Sequence, residues 1–279
     1  MRYGHTFLGA CVLASLTFAA DPALAQAEAA YPSLIKELAP GYELTAGEFP
    51  AILGIRPGMT VAEVEAIVQP LANEALNYPD QIQEVSDPRD GRTFSFLYRT
   101  SLYASLTPPV EGSSDSLSVL YTTDLTGGRV KGLTRSLIHT FTPPDQMPNF
   151  DGTLDAIVAS YGQPSFRRDE DTFSVLYYLY WNGTLDQSGS DARLQQCTYL
   201  SQAVYYSFKQ DRTDPYPDCT ALVEITANRD YRISKSLLSL EVEMTDHRRA
   251  YDDAVVADQY LLDGLAAAEE LTNGPEVKL

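Results

Sequence analysis

The chain has 279 residues and carries 38 acidic against 20 basic side chains, a formal net charge of -18. Nucleic acid and anionic membrane both need a cationic surface, so this balance argues against either as a partner and fits a soluble protein or one that meets a basic partner. Length allows one large domain or two ordinary ones.

Residues 1–25 read as a signal peptide. Arg2 gives a positive n-region, Thr6 to Ala20 an apolar h-region, and Ala23-Leu24-Ala25 a small-x-small cleavage site before Gln26. The apolar run falls short of the roughly 20 residues that span a bilayer, so no stable membrane anchor is expected. Leu8-Gly9-Ala10-Cys11 is loosely like a lipobox, but lipidation there would leave too short an h-region. The expectation is a cleaved, soluble, periplasmic or secreted protein.

Behind a lead-in segment (Leu34, Ile35, Leu38), Gly54 to Leu71 encodes a helix. Thr60 with Glu63 makes a capping box, Met59 with Val64 a hydrophobic staple, and Val61, Val64, Ile67, Val68 and Leu71 one apolar face. Tyr78 to Gly91 reads as a polar connection. Thr93 to Tyr98, Leu102 to Leu106, Leu117 to Thr122 and Arg129 to Phe141 then read as strands, with a hairpin turn at Asp124 to Gly128. Three prolines within Pro143 to Pro148 mark a boundary.

A second helix, Thr153 to Tyr161, repeats the apolar offsets of the first and ends at Gly162-Gln163-Pro164. The Arg167–Asp171 run reads as a charged turn, Phe173 to Trp181 as an aromatic strand, and Asn182-Gly183 as a hairpin. Thr184 to Gln196 reads as an exposed excursion. Strands follow at Ala203 to Lys209, Ala221 to Ala227 and Arg232 to Met244, the last with Leu238, Leu240, Val242 and Met244 on one side. A helix from about Asp246 to Leu271 closes the chain. The resulting fold class is α+β: two related helix-plus-antiparallel-meander modules in tandem (26–142 with an N-terminal arm, and 149–279) and a C-terminal helix.

Cys197 and Cys219 are the only cysteines after cleavage. In an oxidising compartment the pair reads as a disulfide pinning the excursion; a metal pair or catalytic thiol is the alternative, without Cys-x-x-Cys spacing to support it. His139 and His247 read as a strand and a helix-start histidine, with no nucleophile elbow near either. The carboxylate runs Asp169/Glu170/Asp171, Asp252/Asp253 and Glu269/Glu270 read as solvated, with a weak calcium site near Asp169–Asp171 as the alternative. No catalytic residue, metal ligand or cofactor is assigned. The strand tyrosines mostly serve a core, yet neighbours on a strand point to opposite faces, so Tyr177, Tyr178, Tyr180, Trp181, Tyr205 and Tyr206 are the candidate binding residues of an exposed aromatic face.

The two copies, opened by Gly58-Met59-Thr60-Val61-Ala62-Glu63-Val64 and by Gly152-Thr153-Leu154 through Tyr161-Gly162-Gln163-Pro164, resemble the module of the SmpA/OmlA-type small lipoproteins of the barrel-assembly machine. In tandem they also resemble the β-lactamase inhibitor proteins. The resemblance implies a non-catalytic protein-binding module in the periplasm, with another envelope or secreted protein as partner; it assigns no functional residue. The sequence therefore points to an adaptor, envelope assembly factor or inhibitor. Two other expectations stand beside it: an acidic-residue hydrolase or carbohydrate-active enzyme with carboxylates near the excursion, and a binder of a small apolar ligand.

Overall fold

The computed structural model describes residues 51–79, 81–86, 93–99, 101–203, 217–230, 233 and 235–272. The chain divides into Met1–Ser33 and Leu34–Leu279, and every described residue belongs to the second unit. The signal-peptide and lead-in expectations, and with them Tyr205 and Tyr206, lie outside the described residues. No helix among those described is long and apolar enough to cross a membrane.

The architecture is α+β. Helix α1 (Val61–Val68) begins where its capping box closes, because the Thr60 hydroxyl accepts from the Glu63 N–H while the Glu63 carboxylate accepts from the Thr60 N–H at 2.7 Å. Strands β1 (Gln81–Ser86) and β2 (Thr93–Arg99) form a separate two-stranded antiparallel sheet. β1 occupies part of the stretch expected as a polar connection. Strands β3 (Ser101–Leu106), β4 (Ser114–Tyr121) and β5 (Val130–Ile138) then make a meander, with a 3₁₀ turn at Asp124–Thr126 before β5.

Helix α2 (Phe150–Tyr161) is capped by Asn149, whose side chain accepts from the Gly152 N–H. It starts three residues before the expected Thr153, which lies inside the helix and turns its hydroxyl to the Asn149 carbonyl. β6 (Phe166–Asp169) occupies the expected charged turn as an edge strand against β7 (Phe173–Trp181). The Asn182-Gly183 turn has positive φ at both residues, 48° and 89°, as a two-residue hairpin requires, and leads to the short β8 (Thr184–Leu185).

The second half of the expected excursion is helical instead: α3 runs Asp191–Ala203, across the start of the strand expected at Ala203. Strands β9 (Cys219–Arg229) and β10 (Leu237–Asp246) follow, and α4 spans His247–Thr272. A register irregularity at Leu238 puts Leu237, not Leu238, in the core.

The main sheet has eight antiparallel strands in the order β3-β4-β5-β10-β9-β7-β6, with β8 against β7. Strands from both sides of the Pro143–Pro148 boundary thus meet at its centre, where β5 pairs with β10. Cross-strand partners share a face, so register reads each face directly. The row Leu102, Val119, Leu133, Met244, Val223, Tyr178 crosses six strands and is almost wholly buried. It packs in one core with Val64 and Val68 of α1 and with Phe150, Leu154 and Ile157 of α2. A smaller cluster on the other side, Leu179, Cys197, Leu200, Cys219, Leu222 and Ala250, seats α3 and the start of α4 against β7 and β9. Cys197 and Cys219 form a disulfide inside it.

Candidate functional site

One residue along each strand from the buried row lies its counterpart on the opposite face: Tyr103, Ser118, Thr134, Glu243, Glu224, Tyr177. A second row on that face reads Ser105, Ser116, Ser136, Glu241, Thr226, Val175, and a third brings Ser114, Ile138, Ser239, Asn228 and Phe173 together. The first row leaves Tyr103 and Glu243 exposed and the other four half-buried. The adjoining row on this face, Ser101, Leu120, Gly132, Thr245, Leu222 and Leu179, is covered across all six strands, buried everywhere except at the half-buried Leu120. The rest of this face, among the described residues, is open and lined by serines, threonines and three glutamates.

Glu224 and Glu243 are direct cross-strand partners, and Glu241 lies two residues from Glu243 on the same face. Like charges placed directly opposite on a sheet are destabilising. Both carboxyls are held above the usual range, Glu224 by burial and then by Glu243 and Glu241, and Glu243 by burial and then by Glu241. Neither they nor Glu241 makes a hydrogen bond or ion pair among the described residues.

A group whose folded pKa is raised stabilises the fold below its unfolded value, ordinarily 4.5 for these two, and that contribution is lost as pH rises through the folded value. At neutral pH the two ionised carboxylates therefore act against the fold. The E224Q/E243Q variant is expected to melt higher than wild type at about pH 7, with the gap closing towards about pH 4. Thermal melts across this range check it, and a pH-independent gap would contradict the assignment.

Of the aromatic candidates, Tyr177 lies on the open face, half-buried and edge-on to Phe166 with ring centres 6.3 Å apart. Trp181 is half-buried under the Arg193 guanidinium, 4.7 Å from the ring centre. Tyr178 and Tyr180 are core residues at 0% and 3% exposure, so they present nothing to a partner; alternation turns both inward. Among the described residues the most exposed aromatics are others: Phe141 at 84% and Tyr199 at 69%. The three glutamates escaped the sequence reading, although alternation in Glu241-Val242-Glu243-Met244 opposite the apolar side of that strand was the available signal.

Asp169, Glu170, His139 and His247 are engaged or enclosed, whereas Asp171 is exposed. Asp169 accepts from Arg167 and from Ser174, and Arg168 pairs with Glu170. No group of three or more His, Cys, Asp or Glu among the described residues is arranged to hold a metal ion. His247 is buried, its Nδ1 3.2 Å from the Cys219 carbonyl oxygen, and burial depresses it to about 4. His139 is buried too, with Nδ1 3.4 Å from the Thr142 hydroxyl, and burial also lowers its pKa.

Near the excursion, Asp186 accepts from Ser188 and from Arg193 at 2.9 Å. Burial raises its carboxyl, but the hydrogen bonds from Ser188 and Arg193 outweigh that and hold it below the usual range.

No family model, curated protein or solved structure matches this chain.

A second polar cluster is buried where α4 meets β5. Lys131 is the extra residue of a bulge, since Leu120 pairs with Gly132 but Tyr121 with Val130. Its ammonium donates to Asp253 Oδ2 of α4 at 2.8 Å. Asp253 Oδ1 accepts from the Thr123 N–H, the Thr123 hydroxyl and the Thr126 hydroxyl at 2.6–2.8 Å. With side-chain exposures of 4% and 3%, the pair is out of reach of a ligand and fastens α4 to the β4–β5 turn.

Proposed function

We propose that this chain is an exported, non-catalytic protein-binding module that presents the open face of its main sheet to another envelope or secreted protein. The observation that carries the reading is the six-strand row from Tyr103 to Tyr177, exposed or half-buried at every position among the described residues, backed by a fully packed row and two helices on the opposite face. A half-polar, rigid sheet face with aromatic ends has the composition of a recognition surface. The buried Cys197–Cys219 disulfide suits an oxidising compartment.

The topology also supports a reading as two related halves. Each supplies a helix to the inner face and a run of antiparallel strands, and their last strands, β5 and β10, pair at the centre.

The test is site-specific photocrosslinking in the source cell. A photoreactive residue at Thr134 or Tyr103 is expected to yield a discrete adduct with a second protein, and one at Asp155 on the outer side of α2 none. Adducts of equal yield from all three sites, or none from the sheet, would overturn the reading.

A further inference from the structure

The chemistry of the open face identifies what kind of partner it takes, given the binding role proposed above. Its centre holds three carboxylates, Glu224, Glu241 and Glu243, whose neighbours on the same face are the neutral Tyr177, Thr134, Thr226 and Ser136. Arg168, in the same row as Glu241, is taken by Glu170, and Arg135 turns to the opposite face, where it grips Asp115 with two hydrogen bonds. The fold thus holds three mutually repelling charges without an internal counter-charge among the described residues, an arrangement that lowers its own stability. A local stability cost of this kind is characteristic of a surface shaped for binding.

Charge and size select the occupant. A second copy would set three acids against three acids in a protein of net charge -18, and the carboxylates are not grouped as a metal site. Six strands spaced about 4.8 Å apart and three rows about 7 Å apart give a face on the order of 500 Å². That is below the roughly 800 Å² per partner of a standard interface and suits a single segment. Apolar flanks lie at both ends: Phe166 beside Tyr177 on one, exposed Tyr103, Ile138 and Phe141 towards the other.

We infer that the occupant of this face is a basic segment of another protein, with lysine or arginine side chains seated against Glu224, Glu241 and Glu243 and apolar residues against Tyr177 and Tyr103. Charge-assisted hydrogen bonds to the half-buried Glu224 and the exposed Glu241 and Glu243 supply orientation, and the long-range field of the acidic chain speeds encounter.

The probe is an acetylated, amidated Lys-Tyr-Lys-Tyr-Lys peptide titrated by calorimetry against the full chain in about 50 mM NaCl, where screening is weak. The E224Q/E241Q/E243Q variant is expected to bind about tenfold more weakly than wild type. The control E74Q/D145N/D155N removes the same charge from exposed sites off the face and is expected to change affinity by less than about twofold. Thr134→Lys, which places a cation beside Glu243, is expected to weaken the peptide as the triple variant does. Equal losses in the triple variant and the control would reduce the effect to bulk charge and overturn the inference, as would no binding to wild type. The photocrosslink from Thr134 separates the two proposals: if it persists undiminished in the E224Q/E241Q/E243Q protein, the face binds a partner but not through these carboxylates.

Discussion

Lys131→Met is expected to lower the unfolding free energy by about 3–5 kcal/mol, because it leaves the Asp253 carboxylate buried and ionised with no cation. The loss exceeds that of an ordinary surface ion pair because both partners are almost completely enclosed. Asp253 would keep its three hydrogen bonds to Thr123 and Thr126, but neutral donors do not replace a charge in a medium of low polarity. Adding Asp253→Asn should recover most of the loss, since the amide oxygen can still accept from the threonines and no charge remains. Urea unfolding of the two single variants and the double gives the coupling energy directly. A Lys131→Met protein within about 1 kcal/mol of wild type would show that the pair does not contribute to holding α4 in place.

Loss of the disulfide is the other large effect. Cys197 and Cys219 are 22 residues apart, and closing a loop of that length stabilises a fold by about 3 kcal/mol in the chain-entropy account. The effect should be concentrated in α3, whose sequence Asp-Ala-Arg-Leu-Gln-Gln-Cys-Thr-Tyr-Leu-Ser-Gln-Ala has no continuous apolar face and meets the sheet through the small cluster of Cys197, Leu200 and Leu194. C197A/C219A should therefore speed amide exchange across Leu194–Leu200 far more than in β4 or β5, as hydrogen-exchange mass spectrometry would show. Uniform acceleration throughout the sheet would mean that the bridge supports the whole fold and not one helix.

What was legible in the sequence is what local chemistry decides. Thr60 with Glu63 specifies the start of α1, Asn182-Gly183 specifies a hairpin, and the period-two aromatic run specifies β7 to the residue. The misread elements are those settled at a distance. Gln81-Ile82-Gln83-Glu84-Val85-Ser86 is a strand because β2 pairs with it, and its polar composition gives little sign of that. Asn149, not Thr153, caps α2, and the earlier start brings Phe150 into the core, where it is fully buried. Arg167-Arg168-Asp169 can form a strand because it lies at an edge, where charged side chains reach solvent.

The candidate face was legible only in half. Alternation identified one side of β10 as apolar, but which strands lie beside it, and hence that Glu224 faces Glu243, follows from register alone.

The central pairing of β5 with β10 also constrains how the molecule is made. Leu137 pairs with Leu240, more than a hundred residues further along, so during synthesis β5 is complete long before its neighbour leaves the ribosome. Over that interval the edge of the first meander has a bare hydrogen-bonding ladder and apolar Leu133 without Met244 beside it, a template for the wrong strand. Such distant pairing slows folding, so the nascent chain stays open to wrong pairing until its last strand arrives.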